Sequence, residues 1–466
     1  MKIMRLFPLG LMFAPVFVSV ALAATVDTAA RRPNVIVIVS DNQGFRDLGC
    51  FGSPDALTPN LDRLAAEGVK ATTFYATSPA CTPSRGSILT GRYPQRNGLY
   101  EMIRNEMVSY GHRYTMEEYA YSPEMTLGLD VREVTLGQLM QSAGYRTAVV
   151  GKWDSGRAKR FLPLQRGFDF FYGFANTGTD YWTGERYGIP STFSGNTLIK
   201  PEGFSEELFT REAIRFVRAN QRQPFFLYLA YHAPAGAANL EKTGINPPKK
   251  YLDRYPKLGP KSKRAEYLAT ISCMDDGVGE IMATLRELGL DRDTLVMFFP
   301  DNGAGGTADS APFSAGGSQI DRMGEGGIRL SFIARWPEVL PAGRTTDEFL
   351  SIMDVFPTLA AVGQARIPAG LVLDGFNLIP VLQGKAPSPR QAMFWHSRNS
   401  KAARIGPYKW LESPTGKGLF DVTKDPGEKA DLSLQLPKVY AEMKARWDGW
   451  RCEMDAAEAR GPFRDY

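Results

Sequence analysis

Two Asp-Asn dipeptides, Asp41-Asn42 and Asp301-Asn302, each stand close to a glycine (Gly44 and Gly303). Their carboxylates and amide carbonyls offer only hard oxygen donors, a set that suits Ca²⁺ or Mg²⁺ far better than Zn²⁺. One Asp-Asn-Gly is an ordinary turn; two of them, each closing an apolar run of strand length, point to a shared cation site. A third segment, Cys81-Thr82-Pro83-Ser84-Arg85, has a proline where helices start. A nucleophile at a helix N-terminus faces free backbone N–H groups and the positive end of the helix dipole, a natural seat for a tetrahedral oxyanion. Arg85 would add a fixed positive fork.

Four short apolar runs must position these groups. They cover residues 35–39, 147–150, 225–230 and 295–299, and each gives way to polar residues at its C-terminal end. The first ends in Ser40-Asp41-Asn42, the second in Gly151-Lys152-Trp153-Asp154, the third in Tyr231-His232 and the fourth in Pro300-Asp301-Asn302. Runs of that length and composition read as buried parallel strands. Between them, residues 61–67, 136–143, 207–220 and 267–288 carry apolar side chains at helical spacing. The expected fold class is therefore α/β, a large mostly parallel sheet flanked by helices. Such sheets bind ligands outside the carboxyl ends of their strands, where all four polar clusters would fall. Residues 177–201 and 235–263 are rich in Gly, Pro and polar residues and read as long loops able to wall a pocket. Beyond residue 384, strand-like runs and an amphipathic stretch at 439–454 suggest a smaller C-terminal α+β domain, 385–466, after a main domain at 24–384.

Composition excludes several other classes. Of the 466 residues, 43% are hydrophobic and 23% charged, which argues against disorder, collagen and coiled coil. The formal charge of +5 is spread without a basic block, so no nucleic-acid role is indicated. Lys2 and Arg5 precede an apolar run over residues 6–22, and Ala21-Leu22-Ala23 fits a signal-peptidase site; residues 1–23 read as a cleaved export signal. The mature chain, without stable membrane insertion, would be periplasmic or extracellular. Four cysteines, Cys50, Cys81, Cys273 and Cys452, lack Cys-x-x-Cys spacing, and on export each should be buried, paired or chemically special.

The Cys81-x-Pro83-x-Arg85 motif, with Thr90-Gly91-Arg92-Tyr93-Pro94 downstream, resembles the signature of the type I sulfatases, formylglycine enzymes of the alkaline phosphatase superfamily. Further family-like blocks follow in order: Thr58-Pro59-Asn60-Leu61-Asp62-Arg63-Leu64, Gly151-Lys152-Trp153, Asp301-Asn302-Gly303, Glu325-Gly326-Gly327-Ile328-Arg329 and Asp425-Pro426-Gly427-Glu428. The resemblance implies an alkaline phosphatase-like fold and a formylglycine made from Cys81 by a dedicated maturation system. It also implies one Ca²⁺ held by Asp41, Asn42, Asp301 and Asn302, with Arg85 and Lys152 neutralising charge. The substrate would be a sulfated carbohydrate or an aryl sulfate. An aldehyde is useful because its sulfated hydrate can collapse back to the carbonyl and expel sulfate, which a sulfated serine cannot do.

The sequence departs from the family where acid and base chemistry is expected. Family members usually carry histidine at the position of Asp154, and a carboxylate could serve as that base. Ala-Pro-His becomes Ala233-Pro234-Ala235, which leaves His232 as the acid candidate among His112, His232 and His396. A lysine expected before Glu-Gly-Gly is missing, and Arg322 is the only cation in residues 316–324. Asn42 stands where a second aspartate is common, which should weaken Ca²⁺ binding. Two alternatives remain at this level: a phosphate or phosphonate ester hydrolase on the same scaffold, and a degraded sulfatase that only binds sulfated glycans.

Overall fold

The computed structural model describes residues 1, 32–103, 114–239, 244–259, 262–314 and 323–457. The export signal, His112 and Arg322 lie outside the described residues, Met1 apart. From Arg32 onward the chain forms one compact unit.

Seven strands make the central part of an eleven-stranded sheet: β1 (Asn34–Ser40), β2 (Val69–Tyr75), β3 (Arg146–Lys152), β4 (Phe170–Phe174), β5 (Phe225–Ala230), β6 (Thr294–Pro300) and β7 (Arg329–Arg335). Their order is β2-β7-β6-β1-β5-β3-β4, continued by Arg344–Thr346 beside β2 and by Thr192–Ser194 and Thr197–Leu198 beyond β4. β1 pairs in parallel with β6 and β5, β5 with β3, and β3 with β4. Only β7, antiparallel to both β6 and β2, reverses direction within this core. All four expected strands are present as immediate neighbours, and every residue of β1, β5 and β6 is buried, as a sheet covered on both faces requires.

Alternation along β1 divides the core. Val35, Val37 and Val39 point into one layer, Ile36 and Ile38 into the other. The Ile face is covered by α1 (Pro59–Ala66), α4 (Ser205–Ala219) and α5 (Lys263–Glu287); the Val face is covered by α2 (Cys81–Thr90), α3 (Leu136–Ser142) and α6 (Val355–Gly363). C-terminal to these, β8 (Ala392–Ser397), β9 (Ser400–Ile405), β10 (Tyr408–Ser413) and β11 (Gly416–Asp421) form an antiparallel meander on which α7 (Pro437–Ala457) packs.

Strand register brings the polar clusters together. Ser40 pairs with Pro300, so Asp41 and Asp301 follow adjacent strands at the same level, and the Asp301 N–H donates to the Ser40 carbonyl at 3.0 Å. Val39 pairs with Ala230 and Ala230 with Gly151, which places His232 and Lys152 next along the same rim. Gly151 is required there: its φ is +99°, and a Cβ would stand 1.9 Å from the Ala230 carbonyl oxygen. β2 also runs toward this rim, and the chain reaches Cys81 six residues after Tyr75. Among the described residues the cysteines are unpaired, and Cys452 is exposed, so the rule for exported thiols does not hold at that position.

Candidate active site

Cys81 is the first residue of α2, a ten-residue helix buried along its whole length. The Cys81 thiol donates to Asp41 Oδ1 at 3.1 Å and approaches Asn42 Oδ1 at 3.7 Å. Ligand atoms of Asp41, Cys81 and Asp301 all lie within 4.8 Å of one another. Burial, with Asp301 and Asp41 alongside, pushes the Cys81 thiol well above its ordinary value, so the unmodified cysteine is no thiolate nucleophile.

Two buried cations balance the acids. Lys152 Nζ donates to Asp41 Oδ2 at 2.7 Å, and Arg85 Nε donates to Asp301 Oδ2 at 2.9 Å while its Nη1 reaches the Lys152 carbonyl at 3.1 Å. Arg85 Nη2, 4.0 Å from Asp41 Oδ1, has no hydrogen-bond partner. Burial alone would raise the Asp41 carboxyl, but Lys152, Arg85 and His232 outweigh it and hold it at about 2. Asp301 goes the other way: burial and the neighbouring Asp41 charge push it up to about 6, against Arg85 and Lys152. Asn42, in the left-handed region at φ +58°, accepts from Asn302 Nδ2 at 2.5 Å. Asn302 Oδ1 is buried without a partner. Two carboxylates and two amide oxygens, one of them orphaned, are donors that fit a hard cation.

Asp154 lies behind this cluster. It is fully buried at φ +50°, a conformation that Asp, Asn and His adopt more readily than other side chains. Its Oδ1 accepts from the Thr82 hydroxyl at 2.9 Å; Oδ2 lies 3.5 Å from Lys152 Nζ and has no hydrogen-bond partner. Burial pushes its carboxyl up to about 7, opposed by Lys152 and Arg85. It is thus linked to Cys81 through Thr82 rather than by a bond of its own.

His232 stacks on Tyr181 at 4.5 Å, meets Phe174 edge-on at 5.0 Å, and places Nε2 3.9 Å from Asp41 Oδ2. Burial, then Lys152, Arg85 and Arg186, push its imidazole down to about 3 against the pull of Asp41, so it stands neutral at neutral pH. His396 is placed elsewhere, in β8 against Trp447.

Nine of the ten sequence-predicted site residues therefore form one connected cluster; the tenth, Arg322, lies outside the described residues. A cavity of about 790 Å³ opens above it, lined by Asp41, Asn42, Cys81, His232 and Asn302. Both loops expected to wall a pocket contribute, with Thr177, Gly178, Arg186 and Tyr187 from one and Ala235 to Asn239 from the other. Sequence reasoning missed Arg186, which is buried and held by Glu124. Its only signal was an arginine in a Gly- and Tyr-rich loop, since Glu124 is distant in sequence.

Comparison with known proteins follows the same lines. A family model described as Sulfatase matches residues 33–365. N-acetylgalactosamine-6-sulfatase of Canis lupus familiaris is 34% identical over 82% of this chain and 72% of its own length. Arylsulfatase A of Homo sapiens is 33% identical over 91% of this chain and 83% of its own. Among solved structures, that of Ps i-CgsB in complex with k-i-k-neocarrahexaose superposes with a TM-score of 0.79 at 27% identity, covering 90% of this chain and 93% of that one.

Proposed function

The chain belongs to the type I sulfatase family of the alkaline phosphatase superfamily and is a sulfuric ester hydrolase, and from that premise we propose that it is an exported, calcium-dependent enzyme acting on sulfated saccharides or aryl sulfates through a formylglycine made from Cys81. The family implies a metal ion and formylglycine. The observation that carries the finer reading is the placement of Cys81 at the start of a buried helix, 3.1 Å from Asp41, at the floor of a 790 Å³ cavity.

Asp41, Asn42, Asp301 and Asn302 would hold the Ca²⁺; when bound, it would polarise the sulfate oxygens and offset their charge. Formylglycine at position 81 would supply a hydrated aldehyde, an oxygen nucleophile with a route to release sulfate. The residues around it divide the remaining work. The α2 N-terminus presents its free N–H groups to a bound anion. Arg85, with an unpartnered Nη2, and Lys152, bridging Asp41 and Asp154, offset negative charge that grows during transfer. Asp154 accepts a proton on the side of Thr82. His232, neutral and fixed between Tyr181 and Phe174, donates a hydrogen bond toward the departing alcohol oxygen. Arg322, outside the described residues, is proposed from the sequence alone as the cation in place of the missing lysine.

Mass spectrometry of the peptide containing residue 81, from a host that matures such cysteines, tests this directly. The expected result is an aldehyde at position 81, sulfate release from sulfate esters, and loss of multiple turnover in Cys81→Ser. Full turnover with an intact cysteine would overturn it. So would faster release of phosphate than of sulfate from paired aryl esters.

A further inference from the structure

Away from the nucleophile, the described part of the cavity wall is almost without charge. Among its described lining residues Arg186 is the only cation, and Asp41 the only carboxylate. Arg186 is 3% exposed and held from three directions. Its Nε donates to Glu124 Oε2 at 2.9 Å, Nη1 to the Gly178 carbonyl at 3.1 Å and Nη2 to Thr177 Oγ1 at 2.6 Å. Those bonds occupy three of the five guanidinium N–H groups and leave one on each Nη nitrogen of a residue that lines the cavity. Glu124 is itself fully buried and also accepts from the Thr177 N–H at 2.5 Å, so the guanidinium cannot swing away without stranding a carboxylate.

The chain around Arg186 is built to present it. Glu185–Arg186 and Ile189–Pro190 form a two-stranded ribbon closed by Tyr187 and Gly188, with φ of +48° and +80°. Both central residues of this tight hairpin are left-handed, a position that favours Asn or Gly over a bulky side chain. Tyr187 occupies it nonetheless, braced edge-on by Tyr119 at 5.3 Å, and it lines the cavity beside Arg186, whose guanidinium lies 5.0 Å from its ring. His232, the leaving-group candidate, lines the same cavity. A Cβ added at Gly178 would lie 3.1 Å from Arg186 Nη1 and 3.5 Å from His232 Nε2; the sum bounds the separation of those nitrogens at 6.6 Å. Arg186 therefore stands close beside His232, and the bare glycine keeps a side chain from filling the space next to both.

We propose that Arg186 and Tyr187 form the subsite for the sugar that carries the scissile sulfate, Tyr187 packing on the ring and Arg186 recognising a second anionic substituent, carboxylate or sulfate, on the same saccharide. This rests on the sulfatase reading and narrows its substrate class to polyanionic saccharides. A planar guanidinium with one unused N–H on each Nη nitrogen matches the paired oxygens of a carboxylate or sulfate. In a wall with no other described cation, that match sets which saccharide is accepted.

The test compares sulfated disaccharides that differ only in the second group: a uronic acid against its carboxyl-reduced alcohol, and a disulfated against a monosulfated unit. Free sulfate is the readout. Wild type should favour the member with the second anion by about tenfold or more in kcat/KM, the scale of one charge-assisted hydrogen bond. The double substitution Arg186→Gln with Glu124→Gln keeps the buried pair neutral and hydrogen-bonded, and it should bring that ratio close to one. Arg186→Lys, which keeps charge without the fork, should fall between. The carboxylate and sulfate pairs show which anion the fork takes. A purely structural role would lower both members of each pair equally and leave the ratio untouched, and that result overturns the proposal, as does a wild-type ratio near one. Sulfate release from no member, with p-nitrophenyl sulfate also inert, would instead remove the sulfatase reading on which it stands.

Discussion

Asp154 stands where the family resemblance leads one to expect a histidine, and its surroundings make a specific demand on pH. An acid raised to about 7 is protonated below that pH and a proton acceptor only above it. If Asp154 takes the proton during release of sulfate, kcat rises as pH passes upward through about 7. Asp154→Asn keeps the Thr82 hydrogen bond but removes the acceptor; kcat should fall by about 10² to 10⁴ and lose that rising limb, while covalent sulfate accumulates on the enzyme. Intact-mass measurement after a substrate pulse reads the adduct directly, and an unchanged pH profile without adduct would leave Asp154 as a support for Lys152. Asp154→His should recover more activity than the asparagine, because both side chains tolerate the left-handed backbone at this position. The metal assignment has its own check. Asp301→Ala removes a carboxylate and the Arg85 partner together, and the purified variant should carry no calcium where wild type carries one ion; equal contents would move the site elsewhere.

At the scale of elements, the rim of the sheet stays in place because helices are tied to one another beneath it. Asp275, in the middle of α5, accepts from the Asn60 and Leu61 N–H groups at 3.1 and 2.8 Å and from Asn60 Nδ2 at 2.9 Å, so it caps the start of α1 from another helix. Asp275→Ala would leave the buried Leu61 N–H and the part-buried Asn60 donors unmet and should lower unfolding stability by about 1–3 kcal/mol, read as a shift of the urea midpoint at constant m. A shift near zero would mean that water replaces the carboxylate. Continuous apolar runs made β1, β3, β5 and β6 legible, since only a strand covered on both faces can be that hydrophobic. β2 was harder to see because its residues alternate buried and half-buried over Val69–Thr72, and β7 because its reversal depends on tertiary pairing with β2 and β6. The strand ends told which residues would meet, as with Asp41 and Asp301. What escaped was the wall: the Glu124–Arg186 pair joins residues 62 apart in loops whose path no local periodicity specifies. For the same reason the two blocks Glu325-Gly326-Gly327 and Asp425-Pro426-Gly427-Glu428 looked independent, although Glu428 Oε2 accepts from the Glu325 N–H at 2.7 Å.

That last contact belongs to a buried charge network that joins the C-terminal meander to the central sheet, and it governs how the whole molecule should respond to acid. Lys409 of β10 is fully buried, with Nζ 3.1 Å from Glu325 Oε1 and 2.8 Å from Glu428 Oε1. Glu325 Oε2 accepts from the Tyr75 hydroxyl at 2.5 Å, and Arg404 of β9 donates to the same tyrosine. Glu325 thus stands between the end of β2, the turn into β7 and two strands of the meander. Burial would raise its carboxyl, but Lys409, Arg329 and Arg404 hold it down at about 2, against 4.5 for a free glutamate. For an acid whose value is depressed in the folded state, the contribution is complete above about 4.5 and is lost as pH falls toward 2. Acid should therefore loosen this junction within that window. Four of the seven tryptophans, Trp395, Trp410, Trp447 and Trp450, lie in the cluster built on the meander and α7, which makes intrinsic fluorescence a local probe. Lys409→Met strands two buried carboxylates and should destabilise the protein by about 3–5 kcal/mol, moving the fluorescence transition to higher pH. Restoring neutrality by adding Glu428→Gln should recover part of that loss. If Lys409→Met unfolds at the same pH as wild type, the meander is held by its apolar cluster and neutral hydrogen bonds, and the charges at the junction carry none of its acid sensitivity.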